Sequence, residues 1–410
     1  MADRERYPVL SVEEAQERVL ALVRPLEAES VPLLQALDRV LAEPIVADMD
    51  VPPLANSGMD GYALRAEDIR DATQQSPARL RVIGELAAGQ ISPLFVGPGE
   101  ALRIMTGAPV PAGSDTVVRF EDTRQSGDTV EIYVADPRGR NVRAAGEDVR
   151  QGQTVLQPGA RLRPAEIGML ALAGRATVQV VRRPRVAILA TGDEVADLGE
   201  PVAPGQIRNI NSYACAAQVT RWGGLPLLLG LARDRRDELA AKLEEGLALG
   251  ADLLVTSGGV SAGDFDLVKQ VLAAAGRIDF WWVNMKPARP VAFGAIRGTP
   301  LLGLPGNPVA AMVSLALLGR PAIRKMAGHT TWEWPSVLAT LREPIARKDG
   351  RRHYLRVRLA RQGEGWLAEL TGDQGAGIVS SMVQADGLAI IPEDAAHLPA
   401  GSPVRVLLLD

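Results

Sequence analysis

The sequence predicts a multidomain α/β protein with a discontinuous helical domain, an inserted β domain, an α/β domain and a C-terminal β-barrel or sandwich. The chain has 410 residues, which is too long for one ordinary hydrophobic core. Apolar runs alternate with helical stretches over residues 184–326, a pattern typical of a mostly parallel sheet covered by helices on both faces. Short alternating apolar runs, bounded by turn signals, fill 46–138 and 337–409 and predict β-rich domains there.

The N-terminal region is predicted to be helical over residues 10–42. Ser11 begins a capping box, and apolar positions keep helical spacing behind it. A second apolar run covers 33–41, and helical signal returns at 164–173 with proline in the first turn. The simplest account is that residues 46–138 are inserted into one helical domain built from discontinuous chain.

The region 184–326 contains six apolar runs that predict strands, separated in several places by predicted helices. The predicted strands are 185–190, 225–231, 252–256, 280–285, 291–296 and 301–304. The predicted helices are 211–222, 235–249, 266–275 and 307–319.

Composition excludes several classes of protein. The net charge of −4 gives no basic field for nucleic acid, and no run of eighteen apolar residues predicts a membrane span. The N-terminus lacks the apolar stretch of a signal peptide. The single cysteine, Cys215, excludes an internal disulfide and predicts a cytoplasmic protein, and three histidines disfavour histidine-based catalysis.

Polar loops follow the predicted strands of the α/β region, where ligands bind in open α/β sheets. They are TGDE at 191–194, RD at 233–234, SGGVSAGDFD at 257–266, KPARP at 286–290 and PGNP at 305–308. Glycines allow backbone N–H groups to approach an anion closely. Carboxylates beside such loops are favourable if a divalent cation lies between them and the anion. We therefore expect a phosphate-containing ligand with Mg²⁺ at this edge.

Each of these motifs has an ordinary structural explanation when it is taken alone. A glycine pair after a strand is usually a turn, and an aspartate that begins a helix is usually an N-cap. The five loops on one predicted edge favour a site. The motif G-x-G-x-x-G and the P-loop lysine motif are absent from the sequence, which disfavours dinucleotide and P-loop chemistry.

The inserted domain carries a second group of polar loops. Asn56, Ser57 and Asp60 lie in PPLANSGMDGYALR, and Thr106 follows a predicted strand in RIMTGAPVP. The stretch GRNVRAAGED contains Asp148 together with further charged side chains. Ordinary turns or a solvated charged loop would also explain these stretches.

Taken together, these stretches resemble the molybdopterin molybdenumtransferase family, that is, MoeA and the gephyrin E domain. The motifs that carry the resemblance are SGGVSAGDFD, ATGDEV, NMKPARPVAFG, LPGNPVAA, ANSGMDGYALR, RIMTGAPVP and NVRAAGED. They occur in the family's order over roughly residues 10–405. Each motif is weak alone, but the set is specific.

The resemblance implies the architecture and the reaction. The implied domains are a helical dimerisation domain (1–45 plus 139–180), a β domain (46–138), a molybdopterin-adenylyltransferase-like α/β domain (181–328) and a C-terminal β-barrel (329–410). The implied reaction inserts molybdate into adenylylated molybdopterin, with Mg²⁺-dependent cleavage of the phosphoanhydride and release of AMP. An elongated homodimer with sites shared between chains is implied, and molybdopterin adenylyltransferase and molybdoenzyme-maturation proteins are implied partners.

The resemblance also implies the site residues. The catalytic set is Asp60, Asp148, Glu194, Asp234, Asp266 and Lys286, with Glu194, Asp234 and Asp266 near the metal. The substrate-binding set is Thr106, Thr191, Gly192, Ser257, Gly258, Gly259, Ser261, Arg289, Pro305, Gly306, Asn307, Arg356 and Ser381. Lys286, one of only five lysines in the chain, would pair with molybdate or phosphate as a point charge.

Two positions depart from the family pattern. Arg289 stands where many members have a second lysine, and Ala310 stands where serine is frequent. A gephyrin-like scaffold and a CinA-type nucleotide pyrophosphatase are the alternative functions. All the expected acids are present, which argues against a scaffold, and the β domain and the barrel argue against the pyrophosphatase.

Overall fold

The computed structural model describes residues 9–259, 267–346 and 349–409. The chain divides into two compact units. One comprises Pro32–Leu37 and Glu43–Val178, and the other comprises Met1–Val31, Asp38–Ala42 and Gln179–Asp410. This division is coarser than the four predicted domains, whose boundaries stay a prediction. Within the described residues, every helix is too short or too polar to cross a membrane.

The unit around Glu43–Val178 is built on a six-stranded sheet. Its strands, in spatial order, are Thr116–Arg119, Gly61–Leu64, Glu100–Ile104, Ala78–Leu86, Thr129–Ile132 and Thr123–Ser126. Successive residues of one strand enter different cores: Tyr62 and Leu64 pack on one face and Ala63 on the other. The sheet is therefore buried on both faces.

Shorter elements complete this unit. The two-stranded sheets pair Asn56–Ser57 with Val142–Arg143 and Ile45–Val46 with Thr154–Leu156. The α-helix is Pro164–Leu172, and the 3₁₀ turns are Leu33–Ala36, Ala66–Ile69 and Phe120–Asp122. The prediction of a β-rich region that is followed by a helix is confirmed.

The larger unit contains a seven-stranded sheet. Its strands, in spatial order, are Val9–Leu10, Gly276–Val283, Pro290–Ile296, Thr299–Leu304, Leu253–Ser257, Arg185–Thr191 and Leu225–Ala232. Four neighbouring pairs are parallel, and the two pairs made by Pro290–Ile296 are antiparallel. The mostly parallel sheet is thus confirmed. The carboxyl ends of five long strands meet at one edge, together with the beginning of Pro290–Ile296.

Helices cover both faces of this sheet. They are Val12–Leu22, Asn211–Arg221, Arg236–Ala248, Leu267–Ala275, Pro308–Ser314 and Arg320–Met326, with a π turn at Leu315–Gly319. Val186 and Ile188 lie in one buried cluster, whereas Ala187 and Leu189 lie in the other. A strand that is apolar at every position is therefore explained by burial on both faces.

The C-terminal part is a closed barrel of five strands. They are Arg352–Gln362, Gly365–Leu370, Ser336–Leu341, Pro403–Leu408 and Gly387–Ile391, and the last pairs with the first. Met285–Lys286 adds to the barrel as a short parallel strand beside Arg352 and His353. Ile345–Ala346, His397–Leu398 and the helix Val379–Val383 complete it. The remaining short strands of the larger unit are Val195–Ala196 and Ile207–Arg208, and the strands Ala28–Pro32 and Thr177–Val181 lie where the chain passes between units.

The helix predicted over residues 10–42 is wrong after Leu22. The capping box at Ser11 is present, and the helix Val12–Leu22 follows it. The predicted second helix is only the turn Leu33–Ala36, which has no side-chain cap, and Asp38 has a φ of 63°. A left-handed residue cannot continue an α-helix, and the apolar residues of this segment are only partly buried, since Leu34 and Leu37 are exposed.

Candidate functional site

Loops at the carboxyl edge of the seven-stranded sheet surround a cavity of about 410 Å³. Ten predicted site residues line it: Thr191, Gly192, Glu194, Asp234, Ser257, Gly258, Gly259, Pro305, Gly306 and Asn307. Asp266 and Ser261 lie outside the described residues. Four of the five predicted loops therefore contribute named side chains or glycines to one cavity, and the fifth contributes Pro290.

The structure gives a specific reason for glycine at position 258. A Cβ built there would lie 2.6 Å from Oγ1 and 2.7 Å from the backbone oxygen of Thr191, and the φ of Gly258 is +96°. Its N–H donates to the carbonyl of Leu304 at 3.0 Å, so this group is already used within the fold. Gly258 therefore permits two strand ends to approach closely. An anion would have to use other donors.

Two acidic side chains, Glu194 and Asp234, line this cavity. Partial desolvation raises the pKa of Asp234, and the negative charges of Asp193 and Glu194 raise it further. A hydrogen bond with the backbone of Asp193 acts in the opposite direction but does not cancel the increase. Like charges that disfavour ionisation here would be relieved by a cation, and carboxylate and hydroxyl oxygens suit Mg²⁺. Among the described residues no three ligand side chains form a complete metal site. The predicted metal set includes Asp266, which the structure does not describe.

A second cavity, of about 640 Å³, lies between the Lys286–Pro290 turn and the barrel. Cationic side chains line it: Lys286, Arg289, Arg351 and Arg356. Lys286 lies in this cavity and is not among the residues that line the first, whereas Pro290 borders both. The sequence placed Lys286 on the same edge as the acids, and the structure separates the two chemistries into adjoining cavities.

Arg356 is the most completely buried cation of this second cavity. Its Nε donates to Ser381 Oγ at 3.0 Å, and one Nη donates to the carbonyl of Gly375 at 2.9 Å. Desolvation lowers its pKa, although the guanidinium remains charged at neutral pH. Arg356 and Ser381, both expected among the substrate-binding residues, are thus in direct contact. Arg289 lies over the indole ring of Trp282, with its guanidinium carbon 5.8 Å from the ring centroid.

The smaller unit holds the remaining predicted residues in two places. Asp148 lines a cavity of about 460 Å³ with Asn56, Arg143 and Glu147. Asp60 Oδ1 accepts hydrogen bonds from the backbone N–H of Thr106 at 2.6 Å and from its hydroxyl at 2.8 Å. These two bonds lower the pKa of Asp60. The contact keeps the carboxylate ionised and fixes its orientation.

Two asparagines that the sequence motifs did not single out lie at the first cavity. Asn209 and Asn211 line it, and Asn211 Nδ2 donates to the carbonyl of Gly306 at 2.8 Å. This bond holds the Pro305–Asn307 turn against the start of the helix Asn211–Arg221. Two asparagines at a predicted helix start were the available signal, and capping chemistry explained them equally well.

Three family models match the chain in succession. The MoeA N-terminal region (domain I and II) matches residues 10–174, the probable molybdopterin binding domain matches 187–325, and the MoeA C-terminal region (domain IV) matches 339–409.

Relatives of similar length share about a third of their residues with this chain. A protein of Mycobacterium tuberculosis named molybdopterin molybdenumtransferase 2 is 38% identical over 97% of this chain and 98% of its own length. A molybdopterin molybdenumtransferase of Nostoc sp. is 36% identical over 98% of this chain and 94% of its own. The crystal structure of a molybdopterin biosynthesis MoeA protein from Pyrococcus horikoshii OT3 superposes with a TM-score of 0.84 at 30% identity, covering 98% of this chain and 100% of the other.

Proposed function

This chain belongs to the MoeA family, and on that premise we propose that it is a molybdopterin molybdenumtransferase. The reaction we propose inserts molybdate into adenylylated molybdopterin. The phosphoanhydride bond of that substrate is broken, and AMP leaves. The observation that supports this most directly is the pair of adjoining cavities. One is lined by acids and polar turns, and the other by cations.

The first cavity is proposed to hold the phosphoanhydride. Glu194 and Asp234, together with Asp266, would hold Mg²⁺. When bound, Mg²⁺ supplies neutralisation of the charge that develops on the phosphoanhydride oxygens. Partial desolvation, together with the like charges of Asp193 and Glu194, raises the pKa of Asp234, so a cation would stabilise its ionised form. The buried hydroxyl of Thr191 is proposed to orient the substrate beside these acids.

The second cavity is proposed to hold molybdate, a tetrahedral dianion. Lys286 is half exposed there and offers a compact charge, whereas Arg356 offers a fixed one. A flexible and a rigid cation together would bind the oxyanion and present it towards the first cavity across Pro290.

The smaller unit is proposed to complete the site across a homodimer. Asp60, Thr106 and Asp148 lie in that unit, whereas Glu194 and Asp234 lie in the larger one. In a twofold dimer the same shared site would occur twice. Mixing Asp60→Ala with Asp234→Asn chains, with complete subunit exchange, should restore roughly a quarter of the sites, because half of the dimers are mixed and each has one intact site. Activity that stays at the level of either single variant would exclude sharing.

The proposed reaction is tested with adenylylated molybdopterin, Mg²⁺ and molybdate. Release of AMP and reconstitution of a molybdoenzyme that lacks its cofactor are measured. Asp234→Asn should lose most turnover and respond weakly to Mg²⁺, because one metal-binding carboxylate is removed. Asp237→Asn is the matched control, since Asp237 is a highly exposed acid three residues further along that does not line the cavity. Equal activity of both variants would contradict the assignment of the acids.

The single buried cysteine and the absence of an apolar span in the sequence support a cytoplasmic location.

A further inference from the structure

The cations of the second cavity share an acidic partner that the catalytic proposal does not use. Asp349 Oδ2 lies 2.6 Å from a terminal nitrogen of Arg351 and 3.5 Å from Nζ of Lys286. Its Oδ1 lies 2.7 Å from Nε2 of His353. Lys286, Arg351 and His353 line the cavity, whereas Asp349 is not among its lining residues. The carboxylate therefore lies beside the cavity, partly open to solvent, and contacts three of the groups that line it.

Asp349 is ionised at neutral pH. Burial alone would raise its pKa, but hydrogen bonds and charges from His353 and Arg351 hold the pKa well below its ordinary value. The side chain is 31% exposed, so solvent screens this charge only in part. A negative charge thus acts on the cations from a partly exposed position beside the cavity.

The contacts of the cavity cations differ in kind. The contacts of Arg356 that position it are made with the hydroxyl of Ser381 and with the carbonyls of Asp373 and Gly375, which are neutral groups. Arg351 and Lys286 contact a full negative charge. The long Lys286 contact is the weaker of the two, and Lys286 is 50% exposed, so its ammonium can exchange partners.

We propose that Asp349 competes with the oxyanion for Lys286 and Arg351. This competition weakens the binding of the oxyanion in the cavity and so allows the oxyanion to be passed on. This inference depends on the proposed function, since it takes molybdate as the occupant of the second cavity. An entering oxyanion interacts with Lys286 and Arg351, whose positive charges are otherwise partly neutralised by Asp349. Tight binding of a substrate before the reaction lowers its half-saturating concentration without accelerating turnover. A built-in competitor limits that ground-state binding.

The variant Asp349→Asn removes the charge and keeps the shape and an acceptor for His353. Its Kd for molybdate, measured by titration calorimetry on the full chain, should fall about tenfold, the order expected when one charge near a protein surface is removed beside a dianion. Turnover at saturating molybdate should not rise. Perrhenate, a tetrahedral monoanion, should gain only about threefold, because the electrostatic energy scales with the charge of the ligand. Asp394→Asn, which removes an exposed charge in the same barrel, should leave both constants unchanged.

Several outcomes separate this inference from the proposed function. Wild-type protein that does not bind molybdate, or binds it equally well after Lys286→Gln, would overturn the cavity assignment and the inference with it. Suppose that Lys286→Gln weakens molybdate binding, so that the cavity assignment holds. If Asp349→Asn then binds molybdate as weakly as wild type or more weakly, only the inference is overturned, because Asp349 does not compete with the oxyanion. Asp349→Ser is the second neutral variant if thermal unfolding shows that the asparagine protein is not folded. Equal gains for molybdate and perrhenate would also contradict a charge effect.

Discussion

Gly258→Ala should disrupt the first cavity through sterics at a single atom. The new Cβ would lie 2.7 Å from the backbone oxygen of Thr191, a distance that real Cβ atoms essentially never show. The neighbouring strands cannot move apart freely, because Ala190 and Ser257 are paired in the parallel register of the sheet. The φ of +96° adds strain for any residue with a Cβ.

The expected loss combines two terms. A left-handed backbone costs a non-glycine residue about 1–2 kcal/mol, and overpacking against fixed atoms costs about 1–3 kcal/mol. We therefore expect the free energy of unfolding to fall by about 2–5 kcal/mol, since the terms act together. Urea unfolding followed by circular dichroism measures this loss, and release of AMP from adenylylated molybdopterin measures the effect on the cavity.

Gly306→Ala is the matched stability control. Gly306 lines the same cavity, but a Cβ there would meet only the Cα of Gly258, at an ordinary 3.8 Å. Its free energy of unfolding should change by less than about 1 kcal/mol. If Gly258→Ala is as stable as Gly306→Ala, the close approach between the ends of the two strands does not explain the glycine.

Three further predictions follow from individual contacts. Thr106→Val removes one of the two hydrogen bonds to Asp60 and should raise the pKa of that carboxyl towards its ordinary value, as measured by NMR titration, whereas Thr106→Ser should leave it low. Arg356→Lys should cost about 2–4 kcal/mol in urea unfolding, because an ammonium cannot reproduce the fixed geometry of the buried guanidinium, and unchanged stability would contradict this. Asp349 has a lowered pKa in the folded protein, so its stabilising contribution should be complete above its ordinary pKa of 3.8 and be lost as the pH falls below that value. Thermal unfolding of wild type and Asp349→Asn at several acid pH values checks this, and parallel acid limbs would contradict it.

The sequence was most informative where burial imposes a pattern over a whole element. The run RVAILA predicted a strand that is buried on both faces, and Arg185–Thr191 is such a strand. The Ser11 capping box predicted the helix start, because its bonds join residues only three positions apart. The helix predicted over 33–41 is wrong because the helical turn ends at Ala36 and Asp38 is left-handed, which leaves Leu34 and Leu37 exposed. Spacing alone does not show which apolar residues will share a helix.

What the sequence by itself determined is the set of elements and the chemistry at strand ends, since local hydrogen bonds and hydrophobic periodicity act between near neighbours. The sequence predicts Thr191, Asp234 and Gly258 at the ends of buried strands. Because those strands run in parallel, their ends lie at the same edge of the sheet. Only the tertiary structure decided that Lys286 joins the barrel cavity, where it pairs with Asp349 and lies among the arginines. That choice depends on the parallel pairing of Met285–Lys286 with Arg352 and His353, more than sixty positions away along the chain. No local sequence pattern identifies Asp349 as the partner of Lys286, because packing of the whole fold brings the two residues together.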